Sequence, residues 1–288
     1  MRLPFLILTP MSIFLGVAAS YDSFSSFQYV DLILLLIGAL SAHISVNTFN
    51  EYSDFRSGLD AKTVKTPFSG GSGALTENPH GLGSVLYVAI TSLIITIAIG
   101  VYYIFNRGLL ILPIGLVGVL IILTYTQWLN RYPLLCLLAP GIAFGPLMVV
   151  GTSVVLTGQY SDYAFYVSVV PFLLASNLLL LNQFPDIDAD KSVGRRHFPI
   201  AYGVMPSTIL YGAIMLAVYF TVVVGVQKAM FPPQSYFALI PMLASVIVFY
   251  GAMKYQTTID KLIPFMGLNV FATVITPLIL GLSIIYSK

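Results

Sequence analysis

Charge is what this sequence has least of. Only 8% of its 288 residues are Asp, Glu, Lys or Arg, against roughly 25% in an ordinary soluble domain. Apolar residues make up 58%, and the mean hydropathy is +0.92. Such a chain cannot clothe a soluble globule; its composition is that of a polytopic membrane protein. Cysteine is nearly absent as well. The single Cys136 excludes an internal disulfide, and among leucines it reads as a small hydrophobe. The net charge of +2 supplies no basic field that would argue for a nucleic-acid partner.

What is present is a series of long apolar runs. A membrane span needs about 20 such residues. Nine runs qualify: Pro4–Ala19, Val30–Asn50, Gly81–Tyr103, Leu109–Thr126, Leu134–Thr157, Phe165–Leu181, Ser207–Val226, Tyr236–Met253 and Ile263–Tyr286. The expected architecture is all-α, a single domain of nine transmembrane helices. It divides into two four-helix halves (1–133 and 134–260) and a ninth helix (263–286). Met1 to Ser20 also resembles a secretory leader, but its two prolines favour a retained first span. Alternating nine spans leaves Arg107, Lys228 and Lys288 on one side and every other cation, from Arg2 to Lys261, on the opposite one. That bias marks the richer side as cytoplasmic, and both acidic motifs described next fall there.

Asn182-Gln-Phe-Pro-Asp186-Ile-Asp188-Ala-Asp190-Lys191-Ser-Val-Gly194-Arg195-Arg196 puts three carboxylates directly ahead of three cations. Asp186 and Asp190 are i, i+4, so on a helix they share a face. Like charges that close repel unless a cation sits between them. Oxygen-only ligands suit Mg²⁺, above all when a diphosphate completes the shell. Asn50-Glu51-Tyr52-Ser53-Asp54 repeats the Asn-x-x-x-Asp frame after an earlier apolar run. Glu51, Asp54, Asp60, Asp186, Asp188 and Asp190 are six of the eleven acidic residues. Solvated loop acids would not duplicate a frame at matching span ends.

His43, Asn47, Asn50 and Asp54 fall at i, i+4, i+7 and i+11, one face of a helix. Polar groups at that depth face a bundle cavity. Asn50 and Asp54 read as ligand or metal contacts and Asn47 as a substrate contact; His43, deeper, reads as a packed, hydrogen-bonded side chain. The following loop carries Lys62, Lys65 and Ser69-Gly-Gly-Ser-Gly73, whose backbone N–H groups can meet phosphate oxygens; Ser69 is the candidate substrate contact there. At the same membrane face Tyr125 is another. Trp128 and Tyr132 read as interfacial anchors, and Arg131 as either a topology signal or a diphosphate contact.

Two acidic clusters at one mouth of a bundle can hold two Mg²⁺ on one diphosphate and neutralise it as its C–O bond breaks. From an allylic diphosphate that yields a carbocation, which needs a dry cavity with aromatic faces. The reaction class is electrophilic prenyl transfer, with the isoprenoid admitted from membrane lipid. A cation-coupled transporter is the alternative from another class, but transporter sites lie near the bilayer midplane on broken helices.

The motifs resemble the UbiA superfamily of intramembrane prenyltransferases over nearly the whole chain. Arg2-Leu-Pro-Phe-Leu6, Asn50 to Asp60 and Asp186 to Arg196 carry the resemblance. The Ser57-Gly-Leu-Asp60 ending and Phe144-Gly-Pro…Val150-Gly-Thr152 are similar to the MenA-like branch, which prenylates 1,4-dihydroxy-2-naphthoate. The resemblance implies that Asn50, Asp54, Asn182, Asp186 and Asp190 serve a Mg²⁺–diphosphate site. Asp54, Asp186 and Asp190 would be the catalytic carboxylates, with Glu51, Asp60 and Asp188 secondary. It implies that Arg56, Lys62, Lys65, Lys191 and Arg195 grip the phosphates. Two positions depart from the pattern. Glu51 stands where the family has Asp, and Leu138-Ala-Pro-Gly141 stands where the branch has an acid-bearing Gly-Leu-Gly-Glu. The acceptor stays open between an aromatic quinone precursor and a non-aromatic, ether-type lipid.

Overall fold

A computed structural model describes residues 3–21, 23 and 29–287. Met1, Arg2 and Lys288, used above for the leader, the charge bias and the resemblance, lie outside the described residues. Within them the chain is helical, with no strand. Nine apolar helices carry the fold: α1 (Pro4–Ser20), α2 (Tyr29–Arg56), α3 (Pro79–Arg107), α4 (Leu109–Thr124), α5 (Pro133–Thr157), α6 (Asp162–Asn182), α7 (Val204–Gln227), α8 (Pro233–Tyr255) and α9 (Ile259–Tyr286). Seven are long and apolar enough to cross a membrane; α1 and α4 are shorter. α4 begins at Leu109 as expected and ends at Thr124, two residues before Thr126. Gly108, at φ 85°, separates it from α3, and the chain turns away after Thr124 into the Tyr125–Arg131 segment.

Two other boundaries bear on function. α2 continues six residues' worth of polar sequence past its expected end at Asn50, so the whole first acidic frame is helical. α6 instead stops at Asn182. Pro185 has no N–H for the helical ladder, the chain turns, and a short helix Ile187–Ser192 restarts behind Asp186. The two copies of the frame are therefore built differently.

Apolar burial holds the bundle together in three clusters. The largest joins α1 and α5–α9 through Leu15, Val149, Val167, Val218, Ala238 and Leu280, all fully buried. A second surrounds the turn after α6, with Phe184, Tyr211, Val248, Leu262 and Met266. The third joins α3, α4 and α5 through Tyr103, Ile111, Val150 and Val154. α6 is central, with 67% of its apolar window buried, whereas α3 is peripheral at 11%. Ile94, Phe105, Leu116 and Leu120 on α3 and α4 are exposed, as a lipid-facing surface requires.

α5 is the irregular helix. Over Ala143–Val150 it is a π-helix, and Pro146, which cannot donate one turn back, lies inside that wider segment. Its glycines let α6 approach. A Cβ on Gly141 would lie 2.5 Å from the Phe172 carbonyl oxygen, and one on Gly145 would lie 2.6 Å from that of Ser168. Gly145→Val must therefore push the helices apart, at a cost of about 1–3 kcal/mol. We expect a lower melting temperature in detergent for that variant. Gly83→Ala, where an added Cβ meets nothing within 4 Å, serves as the neutral comparison; equal melting of the two would refute the packing argument.

Candidate active site at the head of the bundle

A cavity of about 470 Å³ lies among α1–α6. Its polar end is made by the two acidic frames. On α2 the stripe His43, Asn47, Asn50 and Asp54 lines it, as helical spacing predicts, together with Glu51. From the turn and short helix after α6 come Asn182, Gln183, Asp186 and Asp190, followed by Arg195 and His197. Asp60, Gly70, Gly71 and Ser72 of the loop after α2 complete the rim.

Arg195 joins the two frames. One guanidinium nitrogen donates to Asp190 Oδ1 at 2.9 Å, and the other donates to Asp54 Oδ1 and, at 3.4 Å, to Asn50 Oδ1. Asn50 Nδ2 donates to Asp54 Oδ2 at 3.0 Å, and the Thr126 hydroxyl donates to Asn50 Oδ1 at 3.2 Å. His197 Nε2 lies 3.1 Å from the second Asp190 oxygen. Burial alone would raise the Asp190 carboxyl, but His197 and Arg195 hold it below its usual range. Burial pulls Arg195 the other way, and Asp54 and Asp190 keep its affinity for the proton above normal.

The glycine-rich loop closes against the second frame. Gly70 N–H donates to Asp186 Oδ2 at 3.2 Å, a geometry reached with φ 83° at Gly70 and 71° at Gly71, which side chains other than glycine's resist. Glu51 accepts from Ser72 Oγ. Asp60 is raised by burial and by the nearby Glu51, against Lys65.

Not every candidate reaches the cavity. Arg56 is exposed over the Tyr52 ring, 5.7 Å from its centroid. Lys62, Lys65, Arg131, Lys191 and Asp188 are exposed, outside the lining; Lys62 Nζ reaches Ser192 Oγ at 3.4 Å. Ser69 is buried within its own loop, sharing a 2.8 Å hydrogen bond with Thr66. Tyr125 does line the cavity. His43 is packed, with Nδ1 2.8 Å from Thr9 Oγ1 and its ring edge-on to Phe144.

Three side chains escaped the sequence reading. His197 follows Arg195-Arg196 with no motif to mark it, yet only 2% of it is exposed. Ser72 was one serine of a loop. Gln183 lies beside Asn182 in the second frame; its Nε2 donates to Cys136 Sγ at 3.3 Å. Gln183 Oε1 and Asn182 Oδ1 are buried without a partner among the described residues.

The donor set is oxygen only. Among the described residues no three His, Cys, Asp or Glu side chains form a ready cage for a metal. Mg²⁺ does not need one, because one or two carboxylates plus substrate phosphates hold it. With Asn182 Oδ1 free to add a neutral oxygen, the residues present fit that ion.

An all-helical bundle with carboxylates gathered over an apolar cavity is an intramembrane architecture with a polar mouth and an apolar interior. The chain belongs to the UbiA prenyltransferase family, whose model matches residues 9–271, and it is an integral membrane protein. It is 31% identical over 204 residues to a 1,4-dihydroxy-2-naphthoate octaprenyltransferase of Bacillus subtilis, covering 67% of this chain and 63% of that protein. The chain thus spans less than two thirds of that relative's length. The fold matches a UbiA homolog from Aeropyrum pernix in its apo structure, with a TM-score of 0.73 at 19% identity over 99% of this chain and 98% of that one. It also matches a UbiA homolog from Archaeoglobus fulgidus bound to GPP and Mg²⁺, with a TM-score of 0.58 at 13% identity, covering 99% and 98%.

Removing one partner of a buried ion pair leaves a desolvated charge, at about 3–5 kcal/mol. Without divalent cation, Arg195→Ala is therefore expected to melt lower than wild type. Asp54→Asn in the Arg195→Ala background should recover part of that loss, with a coupling of about 1 kcal/mol or more. Simple additivity of the two melting shifts would show that Arg195 does not bridge the frames.

Proposed function

We propose that this protein transfers an isoprenyl group from an isoprenyl diphosphate to a hydroxylated aromatic acceptor, 1,4-dihydroxy-2-naphthoate or a related quinone precursor, with Mg²⁺. The observation that carries this reading is the meeting of two Asn-x-x-x-Asp frames at the polar end of an apolar cavity. The name of the Bacillus subtilis relative supports the acceptor. The Archaeoglobus fulgidus homolog bound to GPP and Mg²⁺ supports the donor and the metal.

Asn50, Asp54, Asn182, Asp186 and Asp190 would hold Mg²⁺, two ions on one diphosphate, and the metal would supply charge neutralisation at the leaving group. Arg195 stands where it can add to that, and Lys62, Lys65, Lys191, Arg56 and Arg131 would attract the diphosphate from the surrounding loops. The allylic C–O bond breaks, a C–C bond forms to the acceptor ring, and the ring loses a proton. Leu147, Met148 and Val155 wall the cavity and keep water from the carbocation, while Phe144 offers it a π face. Gln183 Oε1, held by Cys136 and without a partner, would accept a hydrogen bond from an acceptor hydroxyl.

The whole bundle then crosses the membrane nine times, as two four-helix halves and α9. The short α4 reaches about 24 Å at 1.5 Å per residue, a mismatch that local thinning of the bilayer can absorb. Charge bias puts the acidic mouth on the cytoplasmic side, and the donor tail enters from membrane lipid.

The test is prenyl transfer by purified protein in lipid, with labelled geranylgeranyl diphosphate and a panel of acceptors, with and without Mg²⁺. Mg²⁺-dependent product on dihydroxynaphthoate is expected, with Asp54→Ala and Asp186→Ala each slower by about 100-fold or more. Product on a non-aromatic lipid alone would move the acceptor to the ether-lipid type. No diphosphate release from any donor would sink the reading.

A further inference from the structure

Beyond its polar mouth the cavity has a second end. Leu35 and Asp54 both line it and both lie on α2, so at 1.5 Å per residue it runs about 28 Å along that helix. That is nearly the hydrocarbon thickness of a bilayer, about 30 Å. Past Asn47 and His43 the lining becomes apolar or small: Leu35, Gly38, Ile99, Gly100, Ile114 and Gly115. Thr96 and Thr152 also line the cavity, but their hydroxyls are bonded to backbone carbonyls, Thr96 to Gly38 and Ser92 at 3.2 and 3.0 Å and Thr152 to Met148 at 2.7 Å. The wall therefore offers nothing to a polar ligand and suits a linear hydrocarbon.

Two of these glycines differ from those at the α5–α6 contact. A Cβ on Gly100 or Gly115 meets nothing within 4 Å, so no neighbouring helix requires a glycine there. Glycine is unfavourable inside a helix; both positions line the cavity, Gly100 half-buried and Gly115 exposed, so a long side chain there has room to narrow it. Tyr103 lines this far end and is 2% exposed. Its hydroxyl donates to the Asp31 carbonyl at 3.1 Å, and the Asp31 carboxylate is paired with Arg107 at 2.6 Å. Ile111, Val150 and Val154 pack in the same cluster as its ring. A ring fixed at its hydroxyl and packed in an apolar cluster does not yield easily.

We propose that this end of the cavity measures the isoprenyl tail, with Tyr103 as the stop and Gly100 and Gly115 as the positions that keep the channel wide. The inference rests on the isoprenyl-diphosphate reading of the mouth. It makes donor length a property of α2, α3 and α4, far from the carboxylates that act on the diphosphate.

The experiment compares kcat/KM for geranyl, farnesyl, geranylgeranyl and octaprenyl diphosphates with one acceptor, using the full chain reconstituted in lipid. Gly100→Leu and Gly115→Leu are expected to shift preference toward shorter donors, raising the farnesyl-to-geranylgeranyl ratio about tenfold. Tyr103→Ala is expected to shift preference the other way. Opposite shifts support the gauge, since damage to the fold would lower all donors together. Length profiles parallel to wild type in all three variants, at full or at uniformly lowered rates, would overturn it, because none of these positions would then select donor length. If wild type releases no diphosphate from any donor, the functional reading fails first, and the two failures are thereby told apart.

Discussion

The head of this bundle depends on one guanidinium shared between carboxylates from distant parts of the chain. A lone carboxylate removed from water at the end of an apolar bundle pays several kcal/mol in lost hydration. Arg195 offsets part of that penalty for Asp54 and Asp190 together, and His197 Nε2 lies 3.1 Å from the remaining Asp190 oxygen. The resulting shifts keep Asp190 ionised and Arg195 charged in spite of burial. Ionised carboxylates are what a hard cation binds, so the contact that makes the site tolerable in the protein also keeps Asp190 in the useful charge state.

The surrounding fold arranges for that contact to occur above empty space rather than above packed side chains. On one side α2 runs unbroken through its acidic frame and presents His43, Asn47, Asn50 and Asp54 down one wall. On the other side Pro185 breaks the chain, and the second frame is carried by a turn and a short helix. Besides Arg195 on α2 and Gln183 on Cys136, three further hydrogen bonds tie that segment to its neighbours. Gly70 N–H holds Asp186, the Asn130 carbonyl accepts from Arg196 N–H at 2.9 Å, and Lys62 reaches Ser192. Below, the close approach of α5 to α6 at Gly141 and Gly145 draws the central helices together and leaves the volume between α2, α3, α4 and α5.

Much of this was legible in the sequence because it follows from periodicity. The apolar runs became helices, and the i, i+4, i+7, i+11 stripe became one wall of the cavity. The pairing of the two frames followed from their repetition. What could not be read depends on contacts without a local signature. Among the described residues seven helices reach membrane length; the expected α1 and α4 runs are themselves short, and the turn after Thr124 takes two residues more from α4. Nothing in Tyr125-Thr126 announces that turn at the end of an apolar run. Arg56, Lys62, Lys65, Arg131 and Lys191 share a charge with Arg195 but not its burial; only tertiary packing separates the one that turns inward. Ser69 belongs to a turn closed by Thr66, and His197 and Gln183 acquire meaning only through Asp190 and Cys136.

The scarcity of charge then has a physical explanation. In hydrocarbon each ionised side chain must have a partner or reach water, so charges persist where something compensates them. Asp31 has Arg107 at the far end of the cavity. Six of the eleven acids belong to the two frames and the loop beside them. Those at the mouth are balanced by Arg195, by His197 and by loop N–H and hydroxyl donors. Their partners satisfy the protein but do not saturate the oxygens that face the cavity, because a carboxylate offers about four lone-pair sites. Asn182 Oδ1 is left with none filled by the protein. A buried amide oxygen left without a partner carries a standing cost. Asn177 Oδ1 and Asn269 Nδ2 carry the same cost inside the packed bundle; what sets Asn182 apart is that it lines the cavity beside the converging acids, where a ligand has room to meet it.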